Sequence, residues 1–206
     1  MFARIYDRVG ASAEEAGAAD HRRELLEGLT GRVIEIGAGN GLNFDHYPRE
    51  VTGVLAVEPE PYLRSKAQEA AAQAGVDVEV VAGTADDLPA EGETFDAAVF
   101  SLVLCSVADQ QRALAEARRV LKPGGELRFY EHVRATDEGL ARLQVRLDRW
   151  IWPRVSGGCH VSRDTGAAIE AAGFVIERRR DFDFKPCFLA GHVAPHIVGR
   201  ARRDRA

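Results

Sequence analysis

The sequence has little cysteine, no long apolar run and no strong excess of charge of either sign. Only three of its 206 residues are cysteines and none forms a CxxC pair, which argues against a disulfide framework and favours a reducing compartment, the cytoplasm. The most apolar stretch, residues 97–108, is far shorter than the roughly 20 residues of a membrane-spanning helix. The net charge of −5 offers no basic surface for nucleic acid. We therefore expect no nucleic-acid partner and no membrane span, and composition leaves the oligomeric state open.

Short β-branched or aromatic runs alternate with longer segments rich in alanine, leucine and arginine. This alternation is typical of an α/β fold with a mostly parallel sheet and helices on both faces. Seven strands are predicted, at residues 32–37, 53–58, 77–82, 95–102, 125–132, 173–180 and 192–200. Helices are predicted at residues 61–75, 109–122 and 137–151, with a further helix that ends at Gly173.

Two features of the second half of the chain carry structural expectations. Residues 137–151 place large apolar side chains three and four positions apart, the pattern of an amphipathic helix that packs on a core. These side chains belong to Leu140, Leu143, Leu147, Trp150 and Ile151. The arginine-rich segment 200–206 is expected to be a solvated terminus.

A glycine-rich loop follows the first predicted strand. Residues 35–41 read Glu-Ile-Gly-Ala-Gly-Asn-Gly, and such glycines let the backbone approach a ligand closely. Glu35 would repel a pyrophosphate but suits a ligand that presents a cationic amine. Glu58 ends the second strand, where a carboxylate accepts hydrogen bonds from ribose hydroxyls. Together they predict a nucleoside-type ligand other than a dinucleotide.

Three later segments extend this pattern along the chain. They are the Ala-Gly-Thr-Ala-Asp-Asp loop from residue 82, the strand and turn at 94–106, and the Leu-Lys-Pro-Gly-Gly turn at 121–125. In this order, over about residues 32–132, the motifs resemble those of the class I S-adenosylmethionine-dependent methyltransferases. The resemblance implies a Rossmann-like fold whose last strand is antiparallel, S-adenosylmethionine as cofactor and S-adenosylhomocysteine as product.

The resemblance also assigns cofactor contacts by position. The first loop would surround the methionine part, the end of the second strand would hold the ribose, the loop after the third strand would meet the adenine, and the end of the fourth strand would lie under the sulfonium. In that order the residues are Glu35, Gly37, Ala38, Gly39, Asn40, Gly41 and Asn43; Glu58, Pro59 and Tyr62; Ala85 and Asp86; and Ser101 and Leu102.

A narrower similarity extends beyond the cofactor half. Residues 43–48, 102–107, 130–133, 158–163 and 195–199 are similar to motifs of the methyltransferase-like type 7 family, the alkyl thiol methyltransferases. This implies methyl transfer to a small thiol by a single domain, residues 1–206, with an N-terminal helical lid (1–31), a cofactor-binding core (32–132) and a substrate-side part (133–206). Membrane-attached members carry an apolar N-terminal anchor that this sequence lacks, so an O- or C-methyltransferase for a phenol, quinone or natural-product intermediate is an alternative. A non-catalytic S-adenosylmethionine-binding protein is another.

The candidate catalytic residue is His132, at the carboxyl end of the fifth strand, where open α/β sheets gather their ligands. A neutral imidazole suffices for a thiol with a pKa of about 8.5, although a structural histidine is an equal alternative. The candidate substrate-binding residues are Tyr6, Trp150, His160 and His196. A zinc site at Cys187, His192 and His196 lacks an evident fourth ligand, so no metal is expected.

Overall fold

The computed structural model describes residues 2–185 and 188–204. Within these residues the chain forms an α/β structure built on one seven-stranded sheet. The strands are β1 (Gly31–Ile36), β2 (Val51–Val57), β3 (Val78–Val81), β4 (Phe95–Ser101), β5 (Leu121–His132), β6 (Phe174–Asp183) and β7 (Pro195–Arg203). The helices are α1 (Phe2–Ala13), α2 (Ala19–Leu26), α3 (Pro61–Ala71), α4 (Gln110–Val120), α5 (Glu138–Trp150), α6 (Trp152–Val155) and α7 (Thr165–Ala171). Short irregular helical turns occupy Glu14–Ala18, Phe44–His46 and Phe188–Val193.

The strand order is β3-β2-β1-β4-β5-β7-β6. Strands β1 to β5 pair in parallel, whereas β7 is antiparallel to both β5 and β6. The register places His132 of β5 opposite His196 of β7. The structure thus confirms the predicted seven-stranded sheet with an antiparallel last strand, and the order reverses direction beside β1, where α/β proteins bind ligands.

Helices cover both faces of the sheet, as predicted. Strand residues alternate between two cores because successive side chains point to opposite faces. Ile34 and Ile36 belong to the core that contains Leu114 of α4, while Val33 belongs to the core that contains Leu25 of α2. Burying each leucine or isoleucine contributes about 1.5–3 kcal/mol, which holds the helices against the two faces of the sheet.

The helix boundaries follow their capping residues. Asp109 accepts hydrogen bonds from the Gln111 and Arg112 backbone N–H groups, and Asp137 accepts one from Leu140. These aspartates satisfy donors that would otherwise be unpaired in the first turn. The predicted starts of α4 and α5 are therefore confirmed.

The last strand differs from the prediction at both ends. It begins at Pro195, because the preceding residues 188–193 form a helical turn, and it continues to Arg203. The expectation of a solvated terminus is wrong for residues 200–203, which pair with β5 and β6. Arg202 also forms an ion pair with Glu177, with Nε 2.6 Å from a carboxylate oxygen.

Helix α5 turns a different face inward from the one expected. Leu143, Trp150 and Ile151 are 45%, 69% and 54% exposed, so the prediction that they pack in the core is wrong. Gln144 is buried instead, since its amide accepts from the Ala135 N–H and donates to the Val133 and His192 carbonyls. None of the helices in the described part of the chain combines the length and apolarity needed to cross a bilayer.

Candidate active site

A cavity of about 450 Å³ opens at the carboxyl edge of the sheet, between the ends of β1, β2 and β4. Its volume falls within the range of ligand pockets, roughly 300–1,000 Å³. The predicted cofactor residues that line it are Gly37, Gly39, Glu58, Pro59, Ala85, Asp86 and Leu102. Sequence reasoning missed further lining residues from α3, from the turn after β4 and from the segment after α6, which include Leu63, Val103, Ser106, Asp109, Ser156 and Gly157.

Two backbone positions shape the wall of this cavity. Gly37 has φ +73°, and a Cβ placed there would lie 2.7 Å from a Val103 methyl carbon, so only glycine fits. Leu102 also has a positive φ, 61°, and its N–H donates to the Tyr130 carbonyl at 2.7 Å. Non-glycine residues in this region cost about 1–3 kcal/mol and cluster at functional sites. The chain is thus constrained where β1 and β4 end.

Glu58 is buried and connects the glycine loop to the end of β2. One carboxylate oxygen accepts from the Gly39 N–H at 2.8 Å and the other from the Glu60 N–H at 2.9 Å. Burial raises the pKa of this carboxyl above its ordinary value, and the two backbone hydrogen bonds oppose that rise. Each oxygen keeps a further lone pair, so Glu58 can still accept hydrogen bonds from two hydroxyls of a ligand in the cavity.

Glu35 lies in a buried polar network and does not line the cavity. It accepts from the Asn43 amide at 2.8 Å and from the Tyr47 hydroxyl at 2.7 Å. Arg22 of α2 donates to Asn43 at 2.9 Å and to the Ser101 hydroxyl at 3.0 Å. Burial raises the pKa of Glu35 to about 7. The structure therefore brings together the predicted residues Glu35, Asn43 and Ser101, but around an arginine that sequence reasoning missed.

The N-terminal helix packs against the glycine loop. Asp7 accepts hydrogen bonds from the Asn40 amide at 2.8 Å and from the Tyr62 hydroxyl at 3.1 Å. Both partners were predicted to touch the cofactor, and neither lines the cavity. The same holds for Ala38 and Gly41. The side chain of Tyr6, a predicted substrate residue, lies outside the described part of the structure, as does Cys187 of the zinc alternative.

His132 lies between two cysteines behind the cavity wall. Its Nδ1 is 3.6 Å from the Cys105 sulfur and 3.7 Å from the Cys159 sulfur. Cys105 in turn lies 3.5 Å from the hydroxyl of Ser106, which lines the cavity. The pKa of the Cys159 thiol is lowered by hydrogen bonding with Cys105 and with His132, while that of Cys105 is raised. The two cysteine sulfurs and the His132 imidazole thus form one cluster of close polar contacts.

The other predicted substrate residues are divided by the structure. The ring centroids of His196 and His132 lie 4.5 Å apart. Burial, and to a lesser extent the neighbouring His132, lower the pKa of His196 to about 3. His160 is partly exposed, with Nδ1 4.0 Å from Asp148. Trp150 lies on the exposed side of α5 and does not line the cavity. His132 and His196 are thus adjacent, whereas Trp150 is not part of this cluster.

Glu131 is a further residue that sequence reasoning missed. It is fully buried, and its carboxylate accepts from the N–H groups of Val103, Leu104 and Cys105 at 2.9–3.0 Å. It shares with Glu35 and Glu58 one signal, an acidic side chain at the end of a buried strand. That signal was available in the sequence at the same edge of the sheet.

Comparison with known proteins identifies the family. The methyltransferase domain family matches residues 34–129. The chain is 35% identical over 181 residues to thiol S-methyltransferase TMT1B of Mus musculus, covering 85% of this chain and 73% of that protein. It is 34% identical over 196 residues to thiol S-methyltransferase TMT1A of Homo sapiens, covering 89% and 78%. A crystal structure of an S-adenosylmethionine-dependent methyltransferase from Thermotoga maritima matches with a TM-score of 0.70 and 25% identity, covering 98% of this chain and 95% of that one.

These matches extend over the cofactor half and the substrate-side half alike, and they confirm both the Rossmann-like fold and the resemblance seen in the sequence motifs. The protein is an S-adenosylmethionine-dependent methyltransferase that acts on a small molecule. This chain belongs to the class I S-adenosylmethionine-dependent methyltransferases, in the family that includes the thiol S-methyltransferases TMT1A and TMT1B.

Proposed function

We propose that this enzyme transfers a methyl group from S-adenosylmethionine to a small thiol. The observation that carries the proposal is the extent of the similarity to the thiol S-methyltransferases. It covers 85–89% of the chain and so includes the substrate-side residues after β5, whereas the general methyltransferase domain match ends at residue 129. The substrate-side segments of related enzymes are the part that distinguishes one acceptor from another.

The cavity residues fit S-adenosylmethionine. Glu58 offers two carboxylate oxygens for the ribose hydroxyls, and the backbone at Gly37 and Gly39 leaves room for the methionine part. Ala85 and Asp86 line the side of the cavity where the adenine is expected. When bound, this cofactor supplies an electrophilic methyl group on a sulfonium sulfur. The protein then has to align the acceptor and exclude water.

His132 is the side chain that we assign to activation of the acceptor. It lies at the carboxyl end of β5, next to Cys105, whose sulfur is 3.5 Å from the hydroxyl of the cavity-lining Ser106. A thiol must lose its proton to become a good nucleophile, and it does so near neutral pH with modest help. His196, held neutral by burial, packs against the His132 ring in a tilted arrangement, with the ring planes 47° apart.

The experiment that tests the proposal measures S-adenosylhomocysteine formed by the purified protein. The acceptors are a panel of alkyl and aryl thiols, sulfide, catechols and quinols, with a reaction lacking acceptor as the control. We expect turnover with thiols and formation of the methyl sulfide. Turnover confined to catechols or quinols would replace the thiol by an oxygen or carbon acceptor. Cofactor binding without turnover on any acceptor would indicate a binding protein.

A second measurement tests His132 itself. His132→Ala should lower kcat with thiols at least ~100-fold, the usual size of an acid–base contribution, while the Kd for S-adenosylhomocysteine stays unchanged. His46→Ala is the matched control, because His46 lies on the turn Phe44–His46, apart from the cysteines. Equal kcat values for the His132 variant and the wild type at saturating thiol would make His132 a structural residue.

A further inference from the structure

Two cysteines and one histidine converge behind the cavity wall with the spacing of metal ligands. Cys105, His132 and Cys159 each offer one donor atom, and the three atoms lie within 4.8 Å of one another. In the sequence, Cys105 lies 27 positions before His132 and Cys159 lies 27 positions after it. That separation matches no short metal-binding motif, so only the fold reveals the cluster.

The distances between the sulfur and nitrogen atoms agree with tetrahedral coordination of zinc. Zinc binds thiolate sulfur at about 2.3 Å and imidazole nitrogen at about 2.0–2.1 Å, and at the tetrahedral angle these bonds place sulfur and nitrogen about 3.6 Å apart. The sulfur atoms of Cys105 and Cys159 lie 3.6 and 3.7 Å from His132 Nδ1. Both sulfur–nitrogen distances are therefore those expected of ligands to a single zinc ion.

The donor types and their burial favour a borderline-soft divalent cation. Cys105 and Cys159 are buried and His132 is partly buried. Two thiolates and one neutral imidazole balance the charge of a divalent ion, which a buried site requires. Binding releases the protons that the two thiols still carry, and it fixes the His132 tautomer with the proton on Nε2.

Hydrogen bonds hold the segments that carry the two cysteines. The turn with Cys105 is anchored by the Glu131 carboxylate and by Arg163, whose guanidinium donates to the Leu104 and Val107 carbonyls at 2.7 and 2.8 Å. The segment with Cys159 is attached to the same turn, since the His160 N–H donates to the Cys105 carbonyl at 2.7 Å.

Asp148 of α5 fixes the residues that follow Cys159. Its carboxylate accepts from the N–H groups of Val161 and Ser162 at 3.0 and 2.8 Å and from the Ser162 hydroxyl at 2.6 Å. These contacts fix the backbone two and three residues after Cys159. The donors are thus preorganised in the folded chain.

We infer that Cys105, His132 and Cys159 form a binding site for one zinc ion, with a fourth coordination position left for a small molecule. Three protein ligands and one exchangeable position are typical of catalytic rather than structural zinc. The cluster borders the cofactor cavity through Ser106, so the fourth position suits the acceptor sulfur. This last point rests on the proposed thiol acceptor; the zinc site does not, because it is tested without methyl transfer.

The test measures metal binding in a Cys187→Ser background, which removes the remaining cysteine of the chain. The reduced, metal-free protein is titrated with zinc against a chromophoric chelator, and metal content is measured by mass spectrometry. We expect one zinc per chain. Cys105→Ser, Cys159→Ser and His132→Ala should each weaken binding by at least ~100-fold, since even outer contacts of zinc sites account for about 10–100-fold. His46→Ala is the control and should bind zinc like the parent.

A spectroscopic measurement keeps the inference testable if a variant fails to fold. Cobalt(II) added to the Cys187→Ser protein should show thiolate-to-cobalt charge-transfer absorption and the intense visible bands of tetrahedral cobalt, and an alkyl thiol should shift both. Absence of stoichiometric zinc binding, or zinc binding unchanged in folded Cys159→Ser, would overturn the site. A tetrahedral cobalt spectrum that no small thiol perturbs would overturn the open fourth position.

Discussion

Replacing Glu58 by alanine removes the carboxylate that connects the glycine loop to β2 and faces the cavity. In the cofactor complex this carboxylate would accept two ribose hydrogen bonds, and hydrogen bonds to a charged group contribute about 1.5–3 kcal/mol each. At about 1.5 kcal/mol for each of the two hydrogen bonds, the variant loses about 3 kcal/mol of binding free energy. This loss corresponds to a Kd for S-adenosylhomocysteine about 100-fold higher. The variant also loses the hydrogen bonds from the Gly39 and Glu60 N–H groups, so the free energy of unfolding should fall by about 1–3 kcal/mol.

Isothermal titration calorimetry with S-adenosylhomocysteine measures the affinity, and urea denaturation measures the stability of the same preparation. Glu79→Ala is the matched control, because Glu79 is an exposed glutamate on the neighbouring strand β3 and its removal changes the net charge equally. We expect the control to bind the ligand like the wild type. An unchanged Kd for folded Glu58→Ala would refute the assignment of Glu58 to the ribose and leave it only the role of holding the loop.

Three further predictions concern stability, each measured by urea denaturation. Arg22→Ala should lower the free energy of unfolding by about 3 kcal/mol because it leaves a buried network without its cation, whereas the exposed Arg23→Ala should change it by less than about 1 kcal/mol; similar losses would refute the network. Glu35 has a folded pKa of about 7 against 4.5 when unfolded, so the native state binds more protons between these values and stability falls as pH rises through them. In Glu35→Gln the decrease in the free energy of unfolding over this pH range should be smaller by about 3 kcal/mol. An unaltered pH dependence of stability would contradict the raised pKa. Gly41→Ala introduces a Cβ 2.8 Å from a neighbouring alanine methyl at φ +85° and should cost about 2 kcal/mol, whereas Gly53→Ala meets nothing within 4 Å and should be neutral.

The sequence predicted the sheet well because the strands and caps are specified locally. Buried parallel strands are continuous β-branched runs, and Asp109 and Asp137 mark helix starts through their own hydrogen bonds. The glycine loop was also predictable, since a positive φ at Gly37 allows only one residue type without strain. These features depend on interactions within a few residues of the chain, so a short stretch of sequence is enough to predict them.

The remaining features depend on contacts between distant segments. Helix α5 has an apolar stripe, yet Gln144 takes the inward position because three backbone groups, from the segment after β5 and from the turn before β7, require partners there. Arg22 is one of two adjacent arginines in α2, and nothing local distinguishes it from the exposed Arg23. The convergence of Cys105 with Cys159 likewise depends on the fold, which brings together residues far apart in the chain.

Three glutamates at the carboxyl ends of β1, β2 and β5 show how one sequence signal gives rise to different roles. Glu58 accepts from backbone N–H groups of the glycine loop and still lines the cavity, so it can both hold the loop and bind a ligand. Glu131 accepts from three consecutive N–H groups and holds the turn that carries Cys105.

Glu35 accepts only side-chain donors, the Asn43 amide and the Tyr47 hydroxyl, and burial raises its pKa to about 7. Backbone donors are fixed in direction by the strands, whereas side-chain donors depend on how α2 and the turn after the glycine loop pack. Glu58, which holds the glycine loop through backbone donors, therefore also lines the cavity, whereas Glu35, bound by side chains, supports the fold behind it.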